Sequence, residues 1–212
     1  MPEDRNAAGI PGKDLPPAER LASAVVTVPN ILSAFRILLV PLFVWSLLSR
    51  KTLEPLLIFF IAATTDLFDG FIARHLHQRS RLGVVLDPAG DKMLMAASYI
   101  VLTLPGVVGP NRIPLGLTLL VFARDLMIVG GVLWAYLTFR LDPLLPSIIG
   151  KLTTAFQVGT VFLVLLTNHL GSEPGFLVIF HGITAALTAA SGTQYFRRGL
   201  RILRDRRISK TG

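Results

Sequence analysis

The stretch TTDLFDGFIARHLHQRSRLGVVLDPAGDK, Thr64 to Lys92, decides how this chain is read. It holds four aspartates, Asp66, Asp69, Asp87 and Asp91, and the first two follow directly on the apolar run LLIFFIAATT, residues 56–65. Carboxylates at the end of an apolar run are costly, and ionisable residues at membrane depth mark function by default.

The surroundings of this stretch are apolar. Of 212 residues, 52% are hydrophobic and 16% charged, with a mean hydropathy of +0.61. A soluble domain carries about a quarter charged residues, so the balance points to an integral membrane protein. No cysteine is present, which excludes disulfides and thiolate metal sites, and four scattered histidines make no zinc site. The formal net charge of +8 reads as basic flanks facing anionic lipid rather than as a nucleic-acid surface.

Six apolar segments are long enough to span a bilayer, near Ile31–Ser49, Leu53–Ala73, Pro88–Val108, Ile113–Thr138, Leu152–Thr167 and Phe176–Phe196. The expected architecture is all-α: a six-helix transmembrane domain over residues 21–196, a flexible polar tail over 1–20 and a basic tail over 197–212. The tail over 1–20 lacks the apolar core of a secretory signal. VTVPNILSAFR reads as a short interfacial helix leading into the first span, with Arg36 at headgroup depth. With both ends on one side, 17 of the 21 Lys and Arg residues fall on that side; only Arg50, Lys51 and Arg112 fall opposite, and Arg124 lies within the fourth span. The excess of positive charge makes that side cytoplasmic. It also puts the four aspartates at the cytoplasmic face of a cell membrane, the inner one where there are two.

On a helix, Asp66 and Asp69 share a face, with Gly70 and Ala73 following on it, and Asp87 and Asp91 share a face of the next helix. A short connection makes the two helices neighbours, so the four carboxylates can converge. Converging carboxylates do not all ionise without compensating cations. An all-oxygen ligand set suits hard divalent ions, and two Mg²⁺ or Mn²⁺ balance four negative charges. Two such ions suit phosphoryl-type displacement, since they clamp attacking and leaving oxygens. Small residues at Gly70 and Ala73 let a bulky ligand lie against the helix, and Arg74 offers a fork for phosphate oxygens. The alternative, four unrelated interfacial helix caps, does not explain the spacing. A cation transporter, the reading from another class, calls for midplane carboxylates on broken helices in related halves; here the acids cluster at one interface.

The pattern Asp66-x2-Asp69-Gly70-x2-Ala73-Arg74-x8-Gly83-x3-Asp87-x3-Asp91 resembles the full signature of the CDP-alcohol phosphotransferases. The resemblance implies a metal-dependent integral membrane enzyme, usually a homodimer, that displaces CMP from a CDP-linked lipid by an alcohol. By matching positions, Asp66, Asp69, Asp87 and Asp91 would hold the metals. Asp91 would also be the general base that takes the proton of the attacking hydroxyl. Gly70, Ala73 and Arg74 would contact the CDP moiety, and Gly83 would allow close approach near the cytidine.

The acceptor is less legible. IPLGLTLLVFARDLMIVGG and PSIIGKLTTAFQ resemble the branch containing phosphatidylglycerophosphate synthases and cardiolipin synthases. Arg124 and Lys151 are the candidate acceptor-binding cations; Arg124 could equally be a structural partner of Asp125, and Lys151 an interfacial marker. The branch implies CDP-diacylglycerol as donor and favours glycerol 3-phosphate as acceptor. The Arg124-Asp125 pair departs from the Arg-Glu expected for that acceptor, which raises phosphatidylglycerol, with an inositol phosphate third. His75 and His77 read as solvated loop residues and His181 as hydrogen-bonded to a neighbouring helix. Trp45, Trp134 and Tyr136 fit interfacial or packing positions.

Overall fold

The computed structural model describes residues 28–76, 83–107, 109–139 and 147–211. They form six helices, with no strand among the described residues: α1 Val28–Leu48, α2 Leu53–Leu76, α3 Gly83–Thr103, α4 Leu115–Phe139, α5 Ile148–His169 and α6 Phe176–Thr211. The all-helical expectation holds. Several boundaries move. The helix from Val28 is continuous into the first apolar segment, so the described part of VTVPNILSAFR is no separate element. α3 opens at Gly83, five residues before the expected start, with Pro88 inside it. A proline within a helix is tolerated where neighbouring helices re-satisfy the freed backbone. α6 runs unbroken through the basic tail to Thr211.

The turns follow from local chemistry. α1 ends because Arg50 takes a left-handed φ of 56°. Arg50 N then donates to Leu47 O at 2.9 Å and Lys51 N to Ser46 O at 3.1 Å, a Schellman closure. α5 closes the same way, with Gly171 at φ +62° and Ser172 N donating to Thr167 O at 3.0 Å. Its start is capped by Ser147, whose Oγ accepts from Gly150 N at 3.0 Å.

Side-chain contacts fix how the helices run. At one end of the bundle, Thr52 meets His169 Nδ1 at 3.3 Å, and Asn111 and Asn168 exchange hydrogen bonds of 2.9 Å. At the other, Lys92 pairs with Asp125 and Arg124 reaches Ser191. The connections after α1, α3 and α5 thus share the first end, and the helices alternate up and down. α1 packs against α2 and α3, α6 against α4 and α5, and α3 and α5 join the two groups. Phe43 and Phe59 are buried with ring centroids 6.1 Å apart, and Tyr99, Leu102, Val161 and Leu165 continue the core. A polar seam binds α5 to α6: Thr160 meets Thr184 at 2.9 Å, and Gln157 Nε2 donates to Thr188 Oγ1 at 3.3 Å.

The outer faces carry Leu38, Trp45, Leu57, Leu126 and Val178, all exposed. Apolar patches on that scale are foreign to a monomer in water. Among the described residues, Ile148–His169 and Phe176–Gly199 are long and apolar enough to cross a membrane, and shorter apolar stretches lie in α1, α2 and α3. Arg36 is buried, its face of α1 packing into the bundle. His181 departs from its expected pairing at one nitrogen: among the described residues, its buried Nε2 has no hydrogen-bond partner.

Candidate active site

The motif straddles the connection between α2 and α3. Asp66, Asp69, Gly70, Ala73 and Arg74 lie on the last turns of α2, and Gly83, Asp87 and Asp91 on the first turns of α3. The backbone therefore realises the helical spacings of three and four residues that put each aspartate pair on one face. Both helices pack against α1. The side chains of these eight residues lie outside the described ones, as do His77 and the rest of the loop over 77–82. Positions 66 and 69 of α2, and 87 and 91 of α3, each share a helix face in the backbone.

A second cluster begins one residue after the motif. Lys92, directly after Asp91, forms an ion pair with Asp125 of α4. Asp125 Oδ1 also accepts from Arg124 Nη1 at 2.7 Å. Arg124 is buried, and its other edge meets α6: Nη2 donates to Ser191 Oγ at 3.1 Å and Nε lies 3.4 Å from the same oxygen. Tyr195, one turn beyond Ser191, sets its ring 5.9 Å from the guanidinium carbon. The first turn of α5 completes the cluster. A Cβ on Gly150 would lie 3.6 Å from Arg124 Nη2, 3.5 Å from the Tyr195 hydroxyl and 3.2 Å from Ser147 Oγ. A Cβ there would touch Arg124 and Tyr195 at ordinary contact distance and crowd Ser147 Oγ, so the first turn of α5 packs directly against the cluster.

A guanidinium has five N–H donors. Asp125 and Ser191 engage three of them, so one N–H on each terminal nitrogen is uncommitted among the described residues. Two free donors on one guanidinium suit phosphate oxygens. The adjoining N-terminus of α5 favours the same charge, and Lys151 stands exposed on its first turn. The cluster is open on its Lys92 side, where that side chain is 54% exposed, and closed at Ser191, which is fully buried.

Of the two cations expected to bind an acceptor, Arg124 sits at the centre of this cluster and Lys151 at its edge. Arg124 is the structural partner of Asp125, the second of the two readings considered for it, and that pairing leaves the first open to test. Lys92, Ser147, Ser191 and Tyr195 were not foreseen from sequence. Lys92 had a signal in its place beside Asp91; the two serines and the tyrosine had none, because only packing gathers them.

Comparison with known proteins agrees with the motif. Residues 26–190 match the family model described as CDP-alcohol phosphatidyltransferase. The chain is 33% identical to a cardiolipin synthase (CMP-forming) of Homo sapiens, over 94% of this chain and 72% of that protein. It is 34% identical to a CDP-diacylglycerol–glycerol-3-phosphate 3-phosphatidyltransferase of Aquifex aeolicus, over 68% of this chain and 85% of that protein. It is 32% identical to a protein of the same description from Escherichia coli, over 79% and 92%.

Proposed function

The chain belongs to the CDP-alcohol phosphatidyltransferase family, and on that premise we propose that it transfers the phosphatidyl group of CDP-diacylglycerol to a phosphate-bearing glycerol acceptor, releasing CMP. The acceptor hydroxyl oxygen forms a bond to the phosphorus that carries diacylglycerol, and the bond from that phosphorus to CMP breaks. Asp91 takes the hydroxyl proton. Asp66, Asp69, Asp87 and Asp91 would hold two Mg²⁺ or Mn²⁺ ions, which supply positive charge to the diphosphate and the leaving CMP. Gly70 and Ala73 leave room for the CDP moiety, Arg74 binds its phosphates and Gly83 admits the cytidine. The donor's acyl chains stay in the bilayer against the apolar outer faces. The active site, with both chain ends, faces the cytoplasm of the cell membrane, and the enzyme works as a homodimer.

The observation that carries the reading of the acceptor is the buried Arg124 with two uncommitted donors, in a cluster that starts one residue from the proposed base. The acceptor we favour is phosphatidylglycerol, giving cardiolipin. Asp125 shares its charge between Lys92 and Arg124, so these three groups carry one net positive charge, matched by the single charge of a phosphodiester. The human cardiolipin synthase also spans 94% of this chain. Glycerol 3-phosphate, the acceptor the sequence alone favours, is the second reading. Exposed Lys151 would add the charge that a dianion needs, and the two bacterial relatives are matched over 85% and 92% of their own lengths. The test offers purified enzyme CDP-diacylglycerol with phosphatidylglycerol, glycerol 3-phosphate or inositol phosphate, one at a time, and follows the lipid product. Cardiolipin formation is expected. Product with glycerol 3-phosphate alone replaces it with phosphatidylglycerophosphate; product with none of them overturns the acceptor class.

A further inference from the structure

We propose that Ser191 is a positioning residue for the acceptor: it fixes the plane of the Arg124 guanidinium, so that the two uncommitted N–H groups are presented to the acceptor's phosphate in one orientation. The inference rests on the reading of Arg124 as the acceptor cation and extends it to a residue on another helix.

The geometry points there for three reasons. First, Arg124 belongs to α4 and is gripped from two sides by groups of different kinds. Asp125, its chain neighbour, holds Nη1 at 2.7 Å. Ser191, 67 residues away on α6, takes Nη2 at 3.1 Å and lies 3.4 Å from Nε. One contact leaves a planar fork free to swing about the arginine stem; two on different edges fix its plane. Pre-organised donors bind an anion without the ordering cost a mobile side chain carries. Second, Ser191 is itself held. It is fully buried, and Thr184 and Thr188, on the same face of α6, bond across the seam to Thr160 and Gln157 of α5. Third, Asp125 is a weaker anchor alone, because it is shared with Lys92 on the open side of the cluster. Ser191 is the anchor on the closed side, where no water competes.

The shared chemistry of the ligand is a phosphate oxygen pair, which a free monoester and a lipid phosphodiester both carry. The experiment therefore measures KM for phosphatidylglycerol and for glycerol 3-phosphate, whichever supports turnover, and separately for CDP-diacylglycerol. Ser191→Ala removes the oxygen. Ser191→Cys keeps the volume but accepts weakly. Both are expected to raise acceptor KM roughly tenfold, the scale of a lost hydrogen bond to a charged group. The KM for CDP-diacylglycerol should stay within about twofold, the scatter of a non-contacting substitution. Ser191→Ala placed on Arg124→Ala should add nothing further, since residues acting as one unit are non-additive. Unchanged acceptor KM in both serine variants, or equal shifts for donor and acceptor, overturns the positioning role. So does a Ser191→Cys enzyme that matches wild type, which makes the site one of packing alone. If Arg124→Ala leaves acceptor KM unchanged, the failure lies with Arg124 itself and removes the premise.

Discussion

At the scale of single residues, the chemistry divides between two adjacent positions on α3. Asp91 is the proposed base, and Lys92 pairs with Asp125. Asp91→Asn keeps the shape of the side chain and removes its basicity. Turnover is expected to fall roughly 10²–10⁴-fold, the usual contribution of a general base, while binding of CDP-diacylglycerol, measured by equilibrium dialysis, is retained. Turnover near wild type would show that another group takes the proton. The aspartates were legible because their spacing is itself chemical information: four acids at helical intervals beside an apolar run have few other uses. Ser191 was not. A serine in TAASG looks like any small residue of a membrane helix, and only the crossing of α4 and α6 gives it a guanidinium to hold.

At the scale of elements, the number and apolar character of the helices were readable and their ends were not. α3 starts at Gly83, five residues before the apolar segment from Pro88, because a packed helix absorbs the proline. α5 starts at Ile148 because Ser147 caps it, a signal hidden by the prolines around it. The alternation of the helices makes a definite demand on a membrane. Glu173, exposed between α5 and α6, and Arg112, before α4, lie at the end opposite Lys151 on the first turn of α5. The chain has no native cysteine, so single replacements report cleanly. In sealed vesicles, an impermeant thiol reagent is expected to label Glu173→Cys and Arg112→Cys from one side. Lys13→Cys, Lys151→Cys and Lys210→Cys should label from the other, the cytoplasmic one. Labelling of positions 13 and 210 from opposite sides would contradict the proposed even number of crossings.

At the scale of the whole molecule, two polar clusters stand at different levels of the bundle among the described residues, besides the α5–α6 seam. One is a clasp at the end where Asn111 meets Asn168; the other runs from Lys92 through Asp125 and Arg124 to Ser191. Between them the helices are joined mainly by apolar contacts and the α5–α6 seam. Such a layout lets a lipid-linked donor keep its chains in the bilayer while its diphosphate meets carboxylates at one face. The central claim is that those carboxylates work through divalent cations to release CMP from CDP-diacylglycerol. The most direct measurement is CMP released by the purified full chain, with and without acceptor, in EDTA and after restoring Mg²⁺ or Mn²⁺. The account predicts no CMP in EDTA, recovery with either oxygen-seeking ion, and release matched one for one by new phospholipid. CMP release undiminished in EDTA, or no release with any metal and acceptor, contradicts it.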